Sequence, residues 1–181
     1  FPGKKGVLAV VLGAVAVPGT ALAVPTFLLF SRMGLTDTPL AVIIPSLISP
    51  FGLFLMWNFA REAIPTELME AARIDGAGHL RTFFKVGLPL LAPGTVTVIL
   101  FTTVATWNNF FLPLIMLRDP RWFPLTIGLN QWNSQSFNVG LEAIPHLVIT
   151  GSLITIIPLI AVFLVLQRYW RSGLAAGSVK G

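Results

Sequence analysis

Between Ile64 and Pro89 the chain carries Glu67, Glu70, Arg73, Asp75, His79, Arg81 and Lys85, between an apolar run that ends at Ala60 and another that begins at Val86. The chemistry these residues support is docking. Glu67, Glu70, Arg73 and Asp75 give the segment charge, and Ala71 and Ala72 are small enough for another protein's surface to come close. Catalysis has no comparable support. His79 and His146 are far apart in the chain, Cys is absent, and neither HExxH nor GxSxG occurs, so no catalytic residue and no metal-ligand set is assigned. A GxxxxGK(S/T) loop is missing as well, which leaves any ATP to be bound and hydrolysed by a different chain.

Two helices must position these groups. Pro65 suits a first helical position, Thr66 and Glu67 a first turn, and Gly76 a left-handed exit, which predicts a helix from Pro65 to Asp75 about 16 Å long. A second helix is expected from near Ala77, with Leu80, Phe83, Phe84 and Gly87 at i, i+3, i+4, i+7 giving an apolar face for the ends of membrane spans. Leu88 and Pro89 are expected to stop it and redirect the chain into the membrane. From the residues alone two readings stay open for this hairpin, 64–89: a docking element, or an amphipathic loop held on the inner leaflet by Arg81 and Lys85.

With 55% hydrophobic residues, 10% charged residues and a mean hydropathy of +0.82, the chain belongs in a bilayer. Its +5 charge does not point to nucleic acid, because the positive residues sit at the ends of apolar segments. Uncharged stretches run from Gly6 to Ser31, Thr38 to Ala60, Val86 to Leu117 and Leu147 to Gln167, each reaching the roughly 20 residues that span a hydrocarbon core. The expected fold class is all-α, a polytopic transmembrane helix bundle with about four spans and a single membrane domain over 1–181. Pro89 and Pro93 move the start of the third span to near Gly94. The first stretch is too long for a signal-peptide core and is read as a retained span, while the start at Phe1 without Met reads as a fragment.

Lys and Arg set the orientation. With Phe1 inside, Lys4, Lys5, Arg61, Arg73, Arg81, Lys85, Arg168, Arg171 and Lys180 are cytoplasmic, against Arg32, Arg118 and Arg121 outside. The hairpin and the carboxyl terminus are then cytoplasmic, and Arg118 to His146 is an outer loop. Trp57, Trp107, Trp122 and Trp170 near span ends read as interface anchors, and Pro18, Pro25, Pro45, Pro50 and Pro158 as kinks that demand helical neighbours.

Within the spans the main polar side chains, Asn58, Thr102, Thr103, Thr106, Asn108 and Asn109, are not ionisable. That disfavours a proton- or ion-coupled carrier and suits a neutral, hydroxyl-rich solute, although such residues also join helices by hydrogen bonds. In the outer loop Gln131, Trp132 and Asn133 put amides beside an indole, which suits sugars and equally suits a solvated surface.

The spacing of Glu70, Ala71, Ala72 and Gly76, then Val86, Leu88 and Pro89, resembles the EAA signature of ATP-binding cassette importer permeases. Val86 stands where that family usually has Ile. EAARIDGAG from Glu70, WNNFFLP from Trp107 and QRYWRSGLAAGSVKG from Gln167 are similar to the carbohydrate branch, in particular the maltose-type second permease. Phe1 to Lys5 resembles the loop after that subunit's second helix, which implies two missing helices. The resemblance implies a type I importer subunit in a prokaryotic inner membrane, with no cofactor of its own. ATP and Mg would be held by an ATPase dimer, and a second permease and an extracytoplasmic solute-binding protein would complete the assembly. Glu70, Ala71, Ala72, Asp75, Gly76, Ala77, Leu88 and Pro89 would couple to the ATPase. Asn108 and Asn109 would lie on the solute pathway, and Gln131, Trp132 and Asn133 would meet the binding protein. A sugar or oligosaccharide is the implied solute. A polyol or glycerol phosphate remains an alternative, since the hairpin specifies the motor and not the cargo, and a stand-alone secondary carrier is the more distant one.

Overall fold

Thr95, Val96, Thr97, Val98 and Ile99 would favour a strand in water. The computed structural model, which describes residues 2–139 and 143–177, winds them into a helix. In lipid a helix satisfies every backbone group within its own segment, and Thr95 and Thr97 also turn their hydroxyls back onto the carbonyls of Leu91 and Pro93, at 3.0 and 2.9 Å.

The helices are α1 Lys4–Ala16, α2 Ala23–Arg32, α3 Leu40–Ser46, α4 Pro50–Ala63, α5 Thr66–Ile74, α6 His79–Thr82, α7 Leu88–Leu90, α8 Ala92–Trp107, α9 Phe111–Met116, α10 Leu125–Val139 and α11 Ala143–Gly177. Short 3₁₀ turns lie at Gly19–Leu22 and Pro120–Trp122, and a π turn at Phe83–Gly87 joins α6 to α7. Two runs, Leu40–Ala63 and Pro145–Gln167, are long and apolar enough to cross a membrane. Two bent pairs, Lys4–Ala16 with Gly19–Arg32 and His79–Leu90 with Ala92–Trp107, bring the number to four if each is one span.

The spans are less continuous than their hydropathy suggests. Pro18 breaks the first, because it has no N–H to donate and it biases Val17 away from helix. Pro45 falls in the last turn of α3 and Pro50 opens α4, so that span is interrupted at Leu47–Ser49. Pro25 lies in the first turn of α2, and Pro158 lies inside α11 without ending it. In the third stretch the helix ends at Trp107 and does not reach Leu117. Pro113 is the reason. A continuous helix would need its missing N–H to reach the Asn109 carbonyl, which accepts instead from the Thr126 hydroxyl at 2.9 Å.

The chain divides into two compact units, Phe1–Val15, Pro50–Thr103 and Phe163–Gly181 in one, Ala16–Ser49 and Val104–Val162 in the other. In the first, α8 approaches α4 closely at Gly94, where an added Cβ would stand 2.8 Å from Phe59 Cγ. Phe51 meets Phe101 edge to face at 5.9 Å. The second unit has a small core of Phe30, Ala41, Met116 and Leu117, with Phe27, Val42, Leu112 and Phe123 packed around it.

The tail resemblance and the charge count both use residues 178–181, which lie outside the described residues. So do the side chains of Arg168, Trp170 and Arg171.

Candidate functional site

Helix α5 forms from TELMEAARI, a run with a carboxylate in its first turn and Arg73 in its last, as the helix dipole favours. It is shorter than expected by one residue at each end. Pro65 precedes it in an extended conformation (φ −62°, ψ 143°), and Asp75 caps it. Gly76 leaves the helix at φ +72°. Its N–H donates to Arg73 O at 3.0 Å and that of Ala77 to Ala72 O at 2.9 Å, the paired bonds of a Schellman turn. No atom lies within 4 Å of where a Cβ on Gly76 would be, so backbone conformation and not crowding selects glycine there.

The helix has two faces. Glu67, Glu70, Ala71 and Ile74, at i, i+3, i+4, i+7, are all exposed, and Ile74 stands 87% open next to the turn. Ala72 is 8% exposed and faces the protein. The sequence reading gave both alanines to a partner. A 100° step per residue separates them, and only Ala71 is on the open side. Ile74 was missed, although an isoleucine flanked by Arg73 and Asp75 was a signal that something apolar meets this face.

The second limb starts at His79, two residues later than expected, with Gly78 extended before it. Buried Thr82 closes its first turn by donating to Gly78 O at 3.1 Å. The limb ends one residue past Pro89 and not at it. The backbone widens into the π turn before it, which relieves the clash of a proline ring with the preceding carbonyl, and the helix runs on to Leu90. A bend of 69° then separates His79–Leu90 from Ala92–Trp107. Gly87 is buried near Ile64, whose Cδ1 is 3.8 Å from where a Cβ on Gly87 would stand, while Leu80, Phe83, Phe84, Leu88 and Pro89 are exposed. Only Gly87 of the expected apolar face is covered.

Asn108 and Asn109 lie at the break after α8, where their amides serve the backbone. Asn108 Nδ2 donates to Val104 O at 2.8 Å, and Asn109 Oδ1 accepts from the Leu112 N–H at 3.4 Å. The stretch from Arg118 to His146, read as an outer loop, lies within the described residues except for 140–142. It contains α10, which carries Gln131, Trp132 and Asn133 on its exposed part. Leu129 and Trp132 close over Gly151, where an added Cβ would be 2.7 Å from Leu129 Cδ2 and 3.4 Å from Trp132 Cζ3. Trp132 therefore packs a helix as well as facing outward. Trp107 donates its indole N–H to Thr155 O at 3.1 Å, in the turn that Pro158 loosens.

A clip that the sequence did not announce joins the α2–α3 turn to the end of α9. Asp37, at φ +59°, donates its N–H to Met116 O at 2.8 Å, and its Oδ1 accepts from the N–H groups of Arg118 and Asp119 at 2.7 and 2.8 Å. The Asp119 N–H and then that of Arg118 hold its carboxyl below the ordinary value of 3.8. Asp119 is lowered too, by the Arg121 guanidinium at 2.6 Å and the Arg121 N–H, and the same contact raises Arg121.

Residues 3–175 match the family model for the binding-protein-dependent transport system inner membrane component. The arabinooligosaccharides transport system permease protein AraQ of Halalkalibacterium halodurans is 35% identical over the whole chain, which covers 63% of that protein. The melibiose/raffinose/stachyose import permease protein MelC of Bacillus subtilis is 34% identical over 98% of the chain and 63% of its own length. A crystal structure of a bacterial ABC transporter involved in importing the acidic polysaccharide alginate superposes with a TM-score of 0.74 at 27% identity, over 94% of this chain and 63% of that one. The chain thus spans about 63% of the length of these relatives.

Proposed function

The chain belongs to the binding-protein-dependent transport inner membrane components, and from that membership we propose that it is the permease subunit of an ATP-driven importer for a sugar or oligosaccharide. It is a membrane transport component and not itself an enzyme. What supports the coupling reading is the open stripe of α5 ending at the Gly76 turn. Two carboxylates, a methyl group and an apolar knob make a docking face that nothing within its own unit covers. An ATPase dimer would seat that stripe in a cleft, with Glu70 against basic groups and Ile74 in an apolar hollow. Asp75, Gly76 and Ala77 would fix the angle of the helix, and Leu88 and Pro89 would carry its movement toward α8. Closure of the ATPases around ATP and Mg would then move the hairpin and swing the spans between inward- and outward-facing states.

Asn108 and Asn109, at the break after α8, are assigned to the solute pathway. Gln131, Trp132 and Asn133 are assigned to the contact with a solute-binding protein, and a second permease would complete the pathway. Sugar as the solute rests on the uncharged span residues and on the named sugars of the relatives. Reconstituting the full-length subunit with its second permease, ATPases and binding protein tests the proposal. ATPase activity should rise when the binding protein is loaded with an oligosaccharide, and uptake should vanish without the ATPases. Uptake that persists without them identifies a secondary carrier.

A further inference from the structure

The limb His79–Leu90 presents a second exposed pattern, of which coupling uses only Leu88. Leu80, Phe84 and Leu88 recur every four residues and are 75%, 60% and 41% exposed. Arg81 and Lys85 form an exposed row beside them, and the limb has no acidic residue. Thr82 and Gly87, on the other side, are buried against the protein. An apolar stripe bordered by a basic row is the pattern of a helix lying in a membrane interface.

The bend supplies the orientation. The pair His79–Leu90 and Ala92–Trp107 is apolar enough to cross a membrane only when taken together, and with α8 as its membrane-crossing part a limb bent 69° away lies closer to the membrane plane than to its normal. It is also continuous in sequence with that span, so its apolar side chains are carried to the level of the headgroups. Phe83 and Phe84 stand edge to face at 5.1 Å, a bulky aromatic pair suited to the acyl boundary. The α5 stripe differs in kind, since it carries carboxylates that an anionic leaflet would repel.

We propose that His79–Leu90 is an interfacial helix that sets Leu80, Phe84 and Leu88 into an anionic inner leaflet, with Arg81 and Lys85 on lipid phosphates. The hairpin then has one limb for protein and one for lipid. The lipid contact fixes the height of the Gly76 turn above the membrane, and it holds whether or not α5 seats an ATPase.

The test uses the full-length subunit in its assembled transporter, made free of other cysteines, in vesicles of phosphatidylethanolamine and phosphatidylglycerol. Single variants Leu80→Cys, Phe84→Cys and Ile74→Cys carry an environment-sensitive fluorophore, and a lipid with a nitroxide high on its acyl chain acts as quencher. Quenching is expected at 80 and 84 and not at 74. It should fall at least about twofold when Arg81→Gln and Lys85→Gln are combined, and likewise in the unsubstituted background when phosphatidylcholine replaces phosphatidylglycerol. Probes at 80 and 84 that respond to aqueous iodide and not to the nitroxide lipid would overturn the proposal. So would shielding from both quenchers that depends on the ATPase subunits, because the occupant would then be protein. Quenching that is indifferent to lipid charge and to both Gln substitutions would overturn the anionic assignment.

Discussion

Gly76 and Asp37 hold the same left-handed backbone conformation, at φ +72° and +59°, and the turns around them are built on opposite plans. At Gly76 the turn is closed by backbone bonds three and five residues apart, and the neighbouring side chains are left exposed. At Asp37 the side chain closes the turn, reaching amides more than eighty residues along the chain, beside a core that contains buried Met116 and Leu117. A turn that uses only its backbone keeps its surface for a partner. A turn that uses its side chain is committed to its own fold.

The largest effect that would break this contrast is expected at Gly76. Valine in a left-handed position costs about 1–2 kcal/mol, and the space around it is open, so the strain acts on the helix direction and not on packing. Gly76→Val should insert normally, lose co-purification with the ATPase and abolish ATP-driven uptake. Gly76→Asn, which tolerates the conformation, should keep most of both. Equal activity of all three proteins would remove the turn from the coupling path.

The helices that carry the hairpin come next. At Gly94 an added side chain meets the Cβ and Cγ of Phe59, the rigid base of that ring, so Gly94→Leu should destabilise by about 1–3 kcal/mol through overpacking. At Gly151 the obstruction is the far end of Leu129, which can turn aside, and Gly151→Ala should be nearly silent. Thermal unfolding in detergent checks both, and a Gly94→Leu protein as stable as the parent would show that α8 is not pinned there.

At the clip, Asp37→Ala removes the acceptor and strains the backbone, whereas Asp37→Asn keeps a carbonyl in place. Amide exchange at Arg118 and Asp119 should quicken markedly in the first and little in the second. Because the folded Asp37 carboxyl titrates below its ordinary value, its stabilising contribution is full above that value and is lost as pH falls through the lowered one. Exchange at these amides should therefore be unaffected by the clip's titration across the neutral range and rise only in strong acid. A rise near neutral pH would mean another group governs the clip.

The smallest effect on transport is expected on α10. Changing Gln131 to Asn133 into Gly and Ser should leave assembly and basal ATPase intact and reduce stimulation by loaded binding protein. Unchanged stimulation would leave this helix with Trp132 only as packing against Gly151.

Gly76 and the two-helix hairpin were legible because capping and left-handed turns are local: their signals lie within a few residues of where they act. The face of α5 was not, since whether Ala71 or Ala72 is covered depends on what the helix rests against. Helix α10 was hidden by its polar residues, which resemble a loop until Leu129 and Trp132 are seen to close over Gly151. The Asp37 clip joins residues so distant that no spacing rule reaches it. The break at Asn109 was legible in Pro113 and was passed over because hydropathy runs straight through it.

That break measures length. With the Asn109 carbonyl released by Pro113 and taken by the Thr126 hydroxyl, seventeen residues later, the chain between them is held as a spacer of fixed size. Adding or deleting one residue between Arg118 and Pro124 would turn Thr126 away from its acceptor and leave a carbonyl without its bond. Related chains that vary the number of residues here must find that carbonyl another donor, while those that keep the number inherit the spacer unchanged.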